Sequence, residues 1–478
     1  MTELTIRTLD AVRTLPEETL SALRSQLRGS VALPGEEGYE AARTIWNAMV
    51  DRHPAFAVRG LGASDVMQAV KLAKREKLLV SIRAGGHNIG GSAVCEGGLL
   101  IDLSPMRSVR IDPVARIAHV EPGATLADFD REAQAFGLMT PLGINSTTGV
   151  AGLTLGGGFG WATRKFGLTI DNLLSADVVT ADGEFVTASE AEHPELFWAL
   201  RGGGGNFGVV TSFAFQLHPL GPQVMSGLVV HPLGEARTLL PEFRQIVGEA
   251  PDELTVWAVM RKAPPLPFLP AEWHGREVLI FAACYAGDMQ EGEKAMRPLR
   301  ALGKPIADVI SPHPFTGWQA AFDPLLTPGA RNYWKSHDLA SLSDGAIDAI
   351  LSAANALPSP ECEIFLAHVG GAMARVASNA TAFPNRNAHF VMNAHGRWRE
   401  KDDDAAGVGW ARKLFEAVAP FALGTAYVNF MPEDESSRVE SAYGANYRRL
   451  AEIKRRYDPD NLFRMNQNIR PAAEWRGP

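Results

Sequence analysis

Of the 46 glycines in this 478-residue chain, 22 lie between Gly85 and Gly208, a window of 124 residues. Glycine gives up more backbone entropy on folding than any other residue. Such crowding therefore points to special dihedrals or to close approach of the backbone to a ligand. Within the window, residues 133–163 carry no charged side chain, a length that a membrane span could have. Seven glycines, a proline and several Ser and Thr between 141 and 163 speak against a span. They favour a buried loop laid against a ligand.

At about 150 residues per domain, the length suggests two or three cores. Hydrophobic residues at 46% and charged residues at 21% are ordinary for a globular protein and exclude global disorder. Lys+Arg 46 against Asp+Glu 54 gives a net charge of −8, a poor match for nucleic acid or an anionic membrane. Cys95, Cys284 and Cys362 are scattered and form no CxxC, so neither a disulfide framework nor a cysteine-rich zinc site is expected, and no metal site is assigned. The opening MTELTIRTLD has no basic start followed by an apolar run. It reads as lacking a signal peptide, with a cytoplasmic location as the default.

Along the chain, leucines at helical spacing mark a surface helix over 16–27. Residues 53–60 read as a strand, 64–78 as a helix with Ser64 as N-cap, and 78–86 as a strand ending in glycines, together a βαβ-like unit. Short β-rich runs follow at 97–106, 108–113 and 116–123, then a helix over 124–137. Residues 175–189 read as a hairpin turning at Asp182-Gly183, 193–203 as a short helix, and 207–220 as a strand. Beyond about 220, strand-like MSGLVVHP, ELTVWAVM, EVLIFAACYAG and CEIFLAHVGG are interspersed with helix-like runs, and PPLPFLP reads as a loop. This order suggests an antiparallel sheet backed by helices, within an α+β fold. A basic amphipathic helix over 444–463 stops at Asp458-Pro459.

Four segments could carry chemistry. Arg83-Ala84-Gly85-Gly86-His87-Asn88 sets a histidine among glycines at a strand end. Asn145 to Gly160 exposes many backbone N–H groups, suited to a diphosphate or a flavin edge. It has no Gly-Lys-Ser/Thr of a P-loop and no GxGxxG with an acidic partner, which disfavours a nicotinamide dehydrogenase. Arg201 to Thr211 joins helix to strand through glycine, and Tyr457 to Ile469 combines a helix end with an asparagine cluster.

In this order the segments resemble the berberine bridge enzyme-like branch of the vanillyl-alcohol oxidase and p-cresol methylhydroxylase flavoproteins. The shared motifs are R-x-G-G-H, the glycine run followed by Arg164, Gly167, Leu168, Asp171 and Asn172, the D-G-E hairpin, PELFWALRGGG-x-NFGVVT, and the terminal YDPDN-x-FR-x-NQ. The likeness covers about 50–220 and 440–471. It implies a two-part FAD-binding domain, residues 1–220 with a returning segment 435–478, around a substrate domain 221–434. FAD would be linked covalently to His87. Flavin contacts are implied for Arg83, Ala84, Gly85, Gly86, Asn88, Ser92, Ser104, Pro122, Gly123, Asn145, Thr147, Thr148, Gly149, Gly152, Leu153, Leu155, Gly157, Gly208, Val209, Val210, Asn466 and Asn468. Asn145 stands where many members have a second linking cysteine, so a single linkage is expected.

A flavin takes a hydride from a C–H next to oxygen or nitrogen, and the protein supplies a base. The segment 370–386, which holds a glutamate base in some members, has no carboxylate here. Tyr427 is the preferred base, with Tyr443 and Asn429 as further catalytic candidates, and a tyrosine pKa near 10 would have to be lowered. Thr148, nearly valine in shape, stands where the family controls oxygen access. The resemblance therefore implies an oxidase of a small alcohol, sugar, amine or natural-product intermediate, with O2 as acceptor. A monooxygenase or oxidative cyclase, or a non-catalytic flavin binder, are the alternatives.

Overall fold

The glycine-rich part and the part that follows it fold around different sheets. The computed structural model describes residues 4–473. Residues 1–3, on which the leader reading begins, and 474–478, the end of the returning segment, lie outside the described residues.

The first sheet has four strands in the order Ser30–Ala32, Phe56–Arg59, Leu99–Asp102, Val80–Arg83. The last three run parallel. The two strands expected to form a βαβ unit are thus not neighbours, because Leu99–Asp102 lies between them. The helix Ala63–Arg75 buries Val66, Ala69, Val70 and Ala73, the spacing of one helical face. Ser64 does not cap it. The N-cap is Gly62 and makes no side-chain bond. The nearby carboxylate of Asp65 instead accepts the N–H groups of Arg28, Gly29 and Leu61.

A second sheet, antiparallel, has the order Phe185–Ser189, Leu173–Val179, Val209–Gln216, Ile117–Val120, Val109–Asp112. Its first two strands are the expected hairpin, with Gly183 at φ +73° in the turn. The glycine run is not all loop: Val150–Leu155 forms a short helix inside it.

The third sheet has eight strands, all pairs antiparallel, and its long members run Gln223–Pro232, Glu277–Tyr285, Leu254–Lys262, Glu363–His368, Phe390–Trp398, Arg331–Leu339. Side chains alternate between its faces. Val229, Val256, Ala258, Phe281, Leu366 and Met392 share one core with the helices Ala236–Gly248, Met289–Arg300, Asp344–Ala354 and Asp404–Val418. The other face, including Val230, Ile280, Val259, Phe365 and His395, lines a cavity. The sheet backed by helices on one side is as expected. The strands Arg331–Leu339 and Phe390–Trp398 are absent from the sequence reading, since Lys335, Asp338, Asn393, His395 and Arg397 interrupt their apolar pattern.

The C-terminal helix Tyr447–Tyr457 returns to the second sheet, where Leu450, Ile453 and Tyr457 share a core with Leu196, Phe213 and Phe215. Among the described residues no helix is long and apolar enough to cross a membrane, and no group of three or more His, Cys, Asp or Glu is placed to hold a metal.

Candidate active site

The cavity between the glycine loops and the open face of the large sheet measures about 370 Å³. The strand Val80–Arg83 ends at its edge and delivers Ala84 to Asn88 into the wall. Gly85 and Gly149 meet there backbone to backbone: a Cβ on Gly85 would lie 2.4 Å from the Gly149 Cα. Two loops can cross this closely only because neither residue has a side chain.

His87 is half-buried in the cavity wall. Its ring stacks on Trp46, with centroids 5.2 Å apart and planes at 20°. The Thr147 hydroxyl lies 2.7 Å from Asn145 Oδ1 and 3.2 Å from His87 Nε2. Asn145 Oδ1 can only accept, so the hydroxyl donates to it and accepts from Nε2–H. This leaves the lone pair on Nδ1. Burial pushes the His87 pKa down to about 4, and hydrogen bonding to Thr147 offsets this only in part. The imidazole is neutral at pH 7.

Of the expected flavin contacts, Ala84, Gly85, Gly86, His87, Asn88, Ser92, Asn145, Thr148, Gly149, Gly152, Leu153, Leu155, Gly208, Val209, Val210 and Asn466 line the cavity. Arg83, Ser104, Pro122 and Gly123 do not; Arg83 and Ser104 both bond to buried Asp102. Arg83 Nη1 donates to Asp102 Oδ1 and Ser104 Oγ, both at 3.1 Å. A Cβ on Gly123 would sit 2.2 Å from Leu103 O and 2.9 Å from the Ser104 Cα. Thr147 acts behind His87. Gly157, at φ +127°, lies against the rings of Phe383 and Tyr427. Asn468 Oδ1 and Asn466 Oδ1 are buried without partners. Buried polar atoms seldom go unpaired. Together with the side-chain-free crossing, these atoms fit a flat, polar-edged group such as FAD.

The Arg164, Asp171 and Asn172 motif serves the fold. Arg164 donates to Leu254 O in the large sheet and to Val369 O just past the strand Glu363–His368, Asp171 takes both Nη groups of Arg386 at 2.7 and 2.8 Å, and Asn172 donates to Phe166 O and Leu168 O. The asparagine-rich end is tied to the third glycine loop: Asn206 Nδ2 donates to Gln467 O and Asn466 Nδ2 to Gly205 O.

Tyr427, Tyr443 and Asn429 all line the cavity. The Tyr427 oxygen accepts from Gly158 N–H at 3.1 Å and from Asn429 Nδ2 at 3.0 Å. Despite these donors, burial among aromatic rings pushes the Tyr427 pKa up to about 12. Base work needs the opposite shift, so the direction of this one speaks against Tyr427 as the base. Burial also raises Tyr443, whose hydroxyl has no partner.

Sequence reasoning missed the opposite wall. Trp46 sits edge-on to Trp334, with centroids 5.8 Å apart, and Trp334 edge-on to His395 at 4.4 Å. His395 Nδ1 lies 3.1 Å from Glu363 Oε1, and Glu363 Oε2 accepts from Arg261 Nη1 at 2.7 Å. Arg261 beside it, with His395, holds the Glu363 carboxyl down at about 2 against its burial. The signal in the sequence was a lone carboxylate and a lone histidine within otherwise strand-like runs.

Comparisons with known proteins agree with this geometry. A family described as FAD binding domain matches residues 54–189, and one described as berberine and berberine like matches 426–470. The chain therefore has the α+β, p-cresol methylhydroxylase-type fold of a flavin-dependent oxidoreductase. It is 31% identical over 451 residues to an FAD-linked oxidoreductase of Dictyostelium discoideum, covering 93% of this chain and 95% of that one. It is 30% identical over 461 residues to (R)-6-hydroxynicotine oxidase of Paenarthrobacter nicotinovorans, covering 94% and 98%. The crystal structure of 6-hydroxy-D-nicotine oxidase from Arthrobacter nicotinovorans superposes with a TM-score of 0.84 at 29% identity, covering 93% of this chain and 98% of that one. The chain belongs to the berberine bridge enzyme-like family of FAD-linked oxidoreductases, enzymes that act on small organic molecules.

Proposed function

We propose that the protein is an oxidase that holds one FAD through a single bond to His87. It would oxidise a C–H next to oxygen or nitrogen of a small organic substrate and pass the electrons to O2, giving H2O2. The observation that carries this reading is His87: neutral, stacked on Trp46, with Nδ1 left free by the Thr147 hydroxyl. Asn145 beside it offers no thiol, and none of the three cysteines lines the cavity. FAD, when bound, supplies the two-electron acceptor.

The protein's own residues bind, orient and exclude water. Gly85 and Gly149 make room for a flat ring, Gly158 N–H and Asn429 Nδ2 hold the Tyr427 hydroxyl in place, and Phe159 and Phe430 pack on its ring at 4.9 and 4.8 Å. Thr148 lines the cavity and is no bulkier than valine, which supports oxygen access. We also infer the division of labour: residues 1–220 and 435–478 hold the flavin, and 221–434 present substrate from the large sheet. Relatives whose names specify nicotine or oligosaccharide oxidation support an oxidase of a small molecule.

The purified protein should be yellow and stay yellow after acid denaturation, whereas His87→Ala should release its flavin. A flavin peptide mapped to a cysteine would overturn the single linkage. Stopped-flow reoxidation no faster than that of free reduced flavin would make the protein a dehydrogenase instead.

A further inference from the structure

The wall of the cavity on the large sheet is almost wholly apolar. Trp257, Val259, Ile280, Phe365, Trp334 and Phe430 surround one polar cluster, Arg261–Glu363–His395. These three come from adjacent strands: Arg261 is in register with Glu363, and Glu363 with His395. Side chains paired in this way lie on the same face of the sheet.

The cluster has a defined direction. The Glu363 carboxylate can only accept, so the proton between it and His395 sits on Nδ1, and Nε2 carries the lone pair. His395 is 2% exposed, its Nε2 faces no partner, and it lines the cavity. Arg261 and Glu363 neutralise one another, so the wall offers a ligand no net charge.

We propose that this cluster is a substrate subsite in which His395 Nε2 accepts a hydrogen bond from a hydroxyl group on a flat, largely apolar ring system. The inference rests on the flavin-oxidoreductase reading of the cavity and names the substrate class within it. The acceptor calls for a donor: a phenol or alcohol satisfies it, while a methyl ether or a ketone leaves it unpaired. A buried polar atom left without its partner weakens binding. The same rule disfavours sugars, whose many hydroxyls outnumber the partners on this wall, namely the cluster and the unpartnered indole N–H groups of Trp257 and Trp334. Trp334 and Phe365, with their rings edge-on to His395, leave a slot suited to an aromatic skeleton.

The test compares two probes of nearly equal shape, 2-naphthol and 2-methoxynaphthalene, by isothermal titration calorimetry on the flavin-loaded protein. Flavin absorbance is read on the same sample. We expect 2-naphthol to bind about ten-fold tighter. His395→Leu should remove the difference, and His395→Gln, which keeps an acceptor, should retain part of it. Equal affinities, absence of naphthol binding up to its solubility, or a preference that survives His395→Leu would each overturn the proposal. Where His395→Leu fails to fold, the wild-type comparison alone decides. Colourless protein would sink the flavin reading without deciding the probe comparison, so the two failures are distinguishable.

Discussion

Gly149 shows how a single residue sets the site. Its φ is −75°, open to any amino acid, so the restriction is contact and not dihedral. A Cβ there would lie 2.6 Å from the Gly85 Cα and 2.7 Å from its nitrogen, backbone atoms that cannot rotate aside. Gly149→Ala should therefore push the His87 loop away from the crossing. We expect a loss of roughly 1–3 kcal/mol in chemical denaturation, the usual range for overpacking, and a lower flavin content per chain. Gly152 makes the contrast: nothing lies within 4 Å of its added Cβ, so Gly152→Ala should leave stability nearly unchanged. His87 and the glycine loops were legible in the sequence because their function constrains local residue type. Trp46 was not, because a stacking tryptophan looks like any apolar residue until the fold brings it to His87.

At the scale of elements, two buried charges report on how helices are fastened. Lys454 and Asp458, both fully buried, pair at 2.6 Å across the end of the C-terminal helix. Lys454 also donates to Asn206 O and Phe463 O, and Asp458 accepts from Leu462 N and Phe463 N. Lys454→Met strands the carboxylate and should cost roughly 3–5 kcal/mol in chemical denaturation. Adding Asp458→Asn should recover part of that loss. Asp130, on the helix Leu126–Gln134, has only Gln319 as a partner, and burial raises its pKa to about 7. Its folded pKa lies above the unfolded value, so its stabilisation is full below about pH 4 and lost as pH rises through 7. The loss is at most on the order of 4 kcal/mol. Asp130→Asn should flatten the stability profile between pH 4 and 7, and the variant should be the more stable protein at pH 8; an unchanged profile would show that Asp130 is ionised in the fold. Elements with clean periodicity, such as the helix Ala63–Arg75 and the strand Leu254–Lys262, were readable from the sequence. Phe390–Trp398 was hidden because a strand buried on both faces, one of them a polar subsite, has no apolar alternation to detect.

For the whole molecule, the cavity is where separate cores meet. One core backs the large sheet, and others fill the two sheets of the glycine-rich part. Between them lies a cavity whose lining comes from residues as far apart as Trp46 and Gln467. Whatever fills it touches both halves and stabilises the folded state by mass action. A flavin bonded to His87, as proposed, could not be titrated, whereas His87→Ala would make its loading reversible. Free FAD at about 100 times its dissociation constant should then add roughly 2.7 kcal/mol to the stability of this variant. Because the halves share the cavity, calorimetry should show the main unfolding transition moving up by several degrees as FAD is added. AMP at the same concentration lacks the ring that the Gly85–Gly149 crossing admits and should move it less. If FAD left the transition in place while flavin fluorescence showed binding, the flavin would sit elsewhere on the chain, and the crossing of Gly85 with Gly149 would be a feature of the fold alone.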